Sequence, residues 1–352
     1  GIPLAARMLG NIDALARWGS WLAPLSNWLA RSRPARWLNE KLLGIDRRRT
    51  PPAWRRQTFS RWFIRRGNVQ SAISPGAPGQ SVIPDHPPLT PGSPGLRSTR
   101  QLTLPVTFFN DTFTNYLEPE IGIAAVELLE AGGLTVELAA HRCCSRPQIS
   151  QGLLEQARQL AAANAELLFP LADRGQKIVF CEPSCLSAMR EDAPALLRGE
   201  LRRKAELVAR SCWLFEEFLE QGCQTGDVRL ALEAGPTKIL LHGHCHQKAM
   251  GALAPAMALL SRIPNCSVVD LDAGCCGMAG SFGYLREHYD SSQKIAERRL
   301  LPAIHSKEPG AVVLATGTSC RHQIQHFGGE RAIHPAVLLR TLLAGDRSGY
   351  NS

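Results

Sequence analysis

The chain has 352 residues, a net charge of +9 and 11 cysteines. That length exceeds one typical domain and can bury a substantial core, and the cysteine density is far below that of a small disulfide scaffold. Residues 1–100 hold 16 Lys and Arg against 4 Asp and Glu, and the remainder holds 24 against 27, so the basic character belongs to the N-terminal segment. No nucleic-acid recognition motif accompanies that charge, and nucleic acid is not an expected partner.

Residues 1–67 read as a basic, Trp-rich helical arm. Six of the seven tryptophans lie there, at Trp18, Trp21, Trp28, Trp37, Trp54 and Trp62. Apolar positions recur at helical spacing from Pro3 to Leu43 with breaks at Pro24 and Pro34, which predicts short helices in series. None of the apolar runs reaches membrane-spanning length. Helices with Trp on one side and Arg on the other are expected to pack on a neighbouring domain; a peripheral contact with a membrane surface is the second expectation. The run Arg47-Arg48-Arg49-Thr50-Pro51-Pro52 reads as a solvated connector. Residues 68–100, with seven prolines and four glycines, read as a linker. The absence of a leader pattern and the clustering of the cysteines predict a reducing, cytoplasmic compartment, on the inner face of the membrane if the arm touches one. Because the chain opens on Gly1, a piece of a longer polypeptide is expected.

Beyond the linker, strands alternate with helices in two rounds. Residues 101–230 predict a strand at Val106–Phe109, a helix at Ile121–Ala131, a strand at Leu134–Leu138, a helix at Leu153–Phe169 and a strand at Lys177–Phe180. A helical insertion follows at Pro194–Gln221. Residues 231–345 repeat the order: strand Lys238–Leu241, helix Gln247–Leu260, strand Ser267–Leu271, helix Asp290–Leu300, strand Ala311–Ala315 and a last helix at Pro335–Leu343. This is the pattern of an α/β fold: two pseudo-symmetric lobes with parallel sheets flanked by helices. In such sheets the loops at the carboxyl ends of the strands converge, and every cysteine landmark falls in one.

The two rounds carry matching cysteines. Setting Phe113 opposite Cys245, 30 positions lead from each to a Cys-Cys pair, Cys143-Cys144 and Cys275-Cys276. A further 41 and 44 positions lead to the Ser-Cys dipeptides ending at Cys185 and Cys320. Landmarks that keep order and spacing point to a duplication. Adjacent cysteines close a strained ring with each other, whereas thiolates beside a glycine suit an iron-sulfur core. Inert buried cysteines and zinc at His242, His244, Cys245 and His246 are the alternatives, although paired C-x2-4-C zinc knuckles are lacking. Gly277, Gly280 and Gly283 allow close backbone approach to an anionic group. Cys212, Cys223 and Cys266 fall outside the repeat and read as structural thiols.

These residues resemble a known family. Cys143-Cys144-Ser145-Arg146-Pro147, Glu182-Pro183-Ser184-Cys185, His242-Gly243-His244-Cys245-His246, Cys275-Cys276-Gly277-Met278-Ala279-Gly280-Ser281-Phe282-Gly283 and Gly317-Thr318-Ser319-Cys320-Arg321-His322 carry the resemblance. The family is the CCG, or cysteine-rich, domain found in heterodisulfide reductase and in the iron-sulfur components of glycolate and glycerol-3-phosphate dehydrogenases. The nearer likeness is to the C-terminal part of fused FAD-linked oxidases of D-2-hydroxyacids such as D-lactate and D-2-hydroxyglutarate. The chain departs from the fuller pattern at Glu182 and Gly317, where some members have the first cysteine of C-x2-C, at Ser145 in place of glycine, and at Phe113. The resemblance implies one 4Fe-4S cluster drawing on Cys143, Cys144, Cys185, Cys245, Cys275, Cys276 and Cys320. It implies FAD on a flavoprotein domain or subunit outside this stretch, a ferredoxin-type iron-sulfur domain beside it, and a small 2-hydroxyacid at the shared interface. Electrons would pass from flavin toward a quinone or another acceptor. Arg142, Arg146, Arg321 and His322 flank the cysteines and suit a substrate carboxylate, or else offset cluster charge or bind the neighbouring domain; His244 and His246 are candidate proton carriers or substrate ligands, or else supports of the cluster. A thiol-disulfide redox subunit and a zinc-stabilised scaffold are the competing functions.

Overall fold

The computed structural model describes residues 2–73 and 105–344. From residue 74 onward the expected linker lies outside the described residues. The arm is a series of short helices, α1 (Leu4–Gly10), α2 (Ile12–Trp21), α3 (Leu25–Arg31), α4 (Arg33–Leu43) and α5 (Phe59–Ile73). Pro34 sits in the first turn of α4, where its missing N–H costs nothing, and Ser32 caps that helix by accepting Ala35 N–H at 3.3 Å.

The first lobe contains β1 (Val106–Phe108), α6 (Thr112–Tyr116), α7 (Pro119–Ala131), β2 (Val136–Leu138), α8 (Arg146–Ser150), α9 (Leu154–Asp173), β3 (Ile178–Phe180), α10 (Pro183–Ser187), α11 (Ala193–Leu196), α12 (Gly199–Ser211), β4 (Cys212–Leu214) and α13 (Phe215–Thr225). The second contains β5 (Lys238–His242), α14 (Cys245–Ala249), α15 (Leu253–Leu260), β6 (Ser267–Asp270), α16 (Tyr289–Glu297), α17 (Leu300–His305), β7 (Val312–Ala315), α18 (Thr318–Gly328) and α19 (Pro335–Thr341). Both sheets are parallel, in the orders β2-β1-β3-β4 and β6-β5-β7. β1 and β3 are buried along their whole length and β5 along all but Lys238, as expected of strands covered on both faces.

Within the lobes two element assignments change. The insertion expected to be helical contains β4, which extends the first sheet by pairing with β3. The helix expected over Gln247–Leu260 is two helices, broken at Gly251 with φ +70°.

One continuous core joins the lobes. Leu128 and Leu129 of α7, Phe215 and Leu219 of α13, Leu259 of α15 and Leu339 of α19 pack in it together with Phe108 of β1 and Leu241 of β5. Phe59 of α5 is fully buried in the same cluster, so the arm is part of the core.

The arm also straps the cysteine loops. Asp46 N–H donates to Tyr284 O at 2.8 Å, and Arg286 N–H donates to Gly44 O at 2.7 Å. The connector expected to be solvated is instead anchored at Arg49, which is buried. Its Nε donates to Gly283 O at 2.8 Å and its Nη2 to Ser292 Oγ at 3.0 Å, and the guanidinium stacks on Phe327. Of the connector's three arginines Arg47 and Arg48 stay exposed, each paired with an acid, Glu40 and Asp46. On the outer side Trp18 is 65% and Trp28 70% exposed, with Trp21 and Trp37 exposed beside them.

Candidate metal centre

Strand ends place the thiols of the second lobe. β5 ends at His242, in register with Ala315 of β7, and the chain then turns through His244 into α14, whose first residue is Cys245. Cys275 and Cys276 follow β6, and Cys320 is the third residue of α18, which follows β7. One ligand atom each from His242, Cys276 and Cys320 lies within 4.8 Å of the other two, and all three residues are buried. Cys245 and Cys275 stand on the exposed side of this group.

The glycine loop that follows these thiols packs on Ser292 of α16. Gly277 has φ +92°, and a Cβ there would come to 2.3 Å of Ser292 O, so no side chain fits. Gly277 N–H donates to Cys275 Sγ at 3.3 Å. Gly283 packs its Cα against Ser292 Oγ and Met278 Sδ, leaving no room for a Cβ, while Gly280 has φ +67°.

In the first lobe Cys143 and Cys144 follow β2, and Cys185 is the third residue of α10. Cys144 Sγ and Cys185 Sγ are 3.0 Å apart. These thiols, with Phe109, Asp111 and His141, line a cavity of about 520 Å³ that Asp13 and Arg17 of α2 help to enclose. The candidate ligands therefore fall into two sets, one packed with Phe109 and Leu186 and the other with Met278 and Ile324.

The helix caps revise the internal alignment. Asp111 is the N-cap of α6, accepting Phe113 N–H at 2.9 Å and Thr114 N–H at 3.0 Å, and His244 is the N-cap of α14. Matching the caps puts Thr112, not Phe113, opposite Cys245, and Phe109 opposite His242. Strand register supports the shift, since Val106 pairs with Val136 as Ile239 pairs with Val268. Ser145 lies where the second lobe has Gly277 and keeps the left-handed backbone, φ 74°.

Thiol acidity follows the crowding. The neighbouring Cys276 thiol, then burial, pushes the Cys275 thiol up, and Cys144 and burial do the same to Cys143. Neighbouring thiolates repel in a low dielectric; a bound cation inverts that logic, because coordinating thiols are deprotonated outright.

The candidate catalytic residues are engaged in structure. Arg321 is buried; its Nε and Nη2 form a fork on Glu118, Nη1 donates to Ala315 O and Thr316 O, and Nη2 also reaches Thr318 Oγ1 at 3.0 Å. Burial alone would raise the Glu118 carboxyl, but Arg321 outweighs it and holds the group at about 2. This is an inter-lobe ion pair, and its donors are not open to a substrate carboxylate. Arg146 pairs with Asp192 and donates to Ser184 O and Ser187 Oγ, bracing α10. Arg142 lines the first-lobe cavity.

His244 is buried, and burial lowers it to about 4; its Nδ1 accepts His246 N–H at 3.1 Å. His246 Nδ1 meets Ser187 Oγ at 2.8 Å across the lobe interface, and His322 Nδ1 meets Tyr284 OH at 3.1 Å. His242 differs. It is 1% exposed, burial lowers it to about 4, and neither ring nitrogen has a hydrogen-bond partner. On sequence alone His242 is a candidate only within a zinc set with His244, Cys245 and His246, and His244 and His246 make other contacts. The signal that sets it apart is its position at the end of an apolar strand.

The donors fit an iron-sulfur centre: clustered thiols, a backbone N–H of the glycine loop aimed at one of them, and a neutral imidazole lacking a partner. Two parallel-sheet lobes that each present a Cys-Cys loop and a Ser-Cys helix at matching strand ends define a duplicated cysteine-rich redox protein. The chain belongs to the cysteine-rich domain family, which matches residues 106–190 and 239–325. It is 30% identical over 344 residues to one of the subunits of the anaerobic glycerol-3-phosphate dehydrogenase of Escherichia coli, covering 96% of this chain and 76% of that protein. D-2-hydroxyglutarate dehydrogenase of Pseudomonas putida is 27% identical over 78% of this chain, which spans 25% of it. Lactate utilization protein A of Anoxybacillus flavithermus is 27% identical over 50% of this chain and 74% of its own length. These relatives mark the chain as an oxidoreductase component.

Proposed function

We propose that this chain is the iron-sulfur electron-transfer module of an FAD-dependent dehydrogenase. The observation that carries the reading is the convergence of His242, Cys276 and Cys320 within 4.8 Å at the carboxyl ends of β5 and β7 and the loop after β6. A 4Fe-4S cluster held by thiols of the second lobe would supply single-electron transfer. Cys143, Cys144 and Cys185 are the donors of the first lobe. The chain's own part is to hold the thiols, bury Cys276 and Cys320, and seat the Gly277–Gly283 loop.

The flavin is assigned to a separate domain or subunit, with a ferredoxin-type iron-sulfur domain between them, and hydride abstraction takes place there. A small hydroxy compound of the 2-hydroxyacid or glycerol phosphate class is the substrate of that partner, and a quinone or another carrier takes the electrons. The exposed tryptophans of α2, α3 and α4 support docking of the arm on the flavoprotein in the cytoplasm. The same face suits a peripheral membrane contact, and vesicle flotation with and without the flavoprotein separates the two.

Anaerobic purification followed by iron and acid-labile sulfide analysis is the test. Iron and sulfide together are expected; stoichiometric zinc without sulfide, or no metal at all, overturns the reading. A second reading rests on the 3.0 Å approach of Cys144 and Cys185, which suits a dithiol-disulfide pair. Turnover of a disulfide by the chain alone, with no flavin added, would favour it.

A further inference from the structure

We infer that His242 is itself a ligand of the second-lobe metal centre, bound through a ring nitrogen alongside Cys276 and Cys320. The inference rests on the iron-sulfur reading above and deepens it. Three independent observations carry it.

The first is satisfaction. A neutral buried imidazole has one donor and one acceptor, and leaving both unpaired forfeits the hydrogen bonds each would make to water in the unfolded chain. His242 lacks a partner at Nδ1 and at Nε2 and is 1% exposed. Each other candidate histidine near the thiols has a partner: His244 on His246 N–H, His246 on Ser187 and His322 on Tyr284.

The second is aim. His242 brings a ring nitrogen within 4.8 Å of Cys276 Sγ and Cys320 Sγ, and among the described residues no other trio of His, Cys, Asp and Glu meets so closely. The third is covariation within the duplication. In the first lobe Phe109 replaces His242 and Thr112 replaces Cys245, and Phe109 stacks on His141 and Phe180 as an apolar residue. The nitrogen and the extra thiol occur in the same lobe. The second lobe also has Gly317, without a side chain, at the first position of C-x2-C, so the start of α18 offers the single thiol of Cys320 beside the ring of His242.

An imidazole in place of a thiolate raises the potential of an iron-sulfur centre, because it removes a negative ligand. The second-lobe centre is thus set at a higher potential than the same centre held by thiolates alone.

The test is pulsed EPR on the reduced full chain. Imidazole coordination is expected to give a strong nitrogen hyperfine coupling that changes character when the protein is grown with 15N-labelled histidine. His242→Cys is expected to abolish that coupling, keep iron and sulfide, and move the midpoint potential to a more negative value. Iron and sulfide present without any histidine coupling overturns the ligation and leaves the iron-sulfur reading intact. A coupling that persists in His242→Cys assigns the nitrogen elsewhere and also overturns it. Absence of iron and sulfide in the unsubstituted chain overturns both.

Discussion

Glu182 Oε2 in the first lobe accepts the main-chain N–H of Thr318 in the second at 2.9 Å. Its other oxygen accepts Ser184 N–H at 3.3 Å and Ser184 Oγ at 2.8 Å. One buried carboxylate therefore caps α10 and α18 together, and each of those helices carries a cysteine at its third position, Cys185 and Cys320. Negative charge at a helix N-terminus is stabilising, and here it serves two helices from different lobes. The departure from C-x2-C at this position is a lobe-to-lobe tie.

Glu182→Gln leaves one of the two helix starts without an acceptor and the other with an uncharged one. Stability is expected to fall by about 1–3 kcal/mol, read from urea unfolding. An unchanged midpoint would mean that the bridge contributes nothing.

Arg49→Ala removes the donors held by Gly283 O and Ser292 Oγ and opens a hole beside Phe327. A loss of about 2–4 kcal/mol is expected, together with faster hydrogen exchange over residues 277–283. Arg49→Lys should recover little, since an ammonium cannot reach both acceptors with one planar fork. Full recovery by lysine would show that charge alone matters.

Gly277→Ala drives a Cβ into Ser292 O while keeping a left-handed backbone, and should cost more than about 2 kcal/mol. The opposite change in the other lobe, Ser145→Gly, relieves the same backbone strain and removes a buried hydroxyl that lacks a partner. It is expected to gain about 1 kcal/mol in thermal or chemical unfolding. Equal effects at the two positions would contradict the internal equivalence.

Glu216 is fully buried with both carboxyl oxygens lacking hydrogen bonds, and burial raises it to about 8. His334 Nε2 stands 3.7 Å away, but burial lowers that ring to about 3, so the two are neutral neighbours rather than an ion pair. A carboxyl whose folded value lies above its ordinary 4.5 contributes stability below pH 4.5 and loses it as pH rises toward 8. Glu216→Gln should flatten that decline between about pH 5 and 8 in denaturation profiles. A decline that persists unchanged would place its origin in another group.

The parallel sheets were legible because β1, β3 and β5 are short apolar runs bounded by turn residues. β4 was not, because Cys212–Leu214 lies between two helices without a turn signal and only its pairing with β3 makes it a strand. The thiols were legible from spacing, but the pairing of the two rounds was one residue off, since no sequence pattern marks which of Gly243 and His244 caps α14. That shift concealed the correspondence of His242 with Phe109. Arg49 read as connector because adjacent arginines look alike until one of them is buried. The fork of Arg321 on Glu118 joins residues far apart in the chain, and local pattern carries no information about it.

The outward tryptophans of the arm give the chain a built-in optical reporter. Trp213 is the one indole outside residues 1–67, so intrinsic fluorescence is weighted toward the arm, and Trp18, Trp21, Trp28 and Trp37 emit from water. Whatever surface settles over them will shift that emission to the blue and shield it from a soluble quencher, which allows the docking event to be followed in real time without a label.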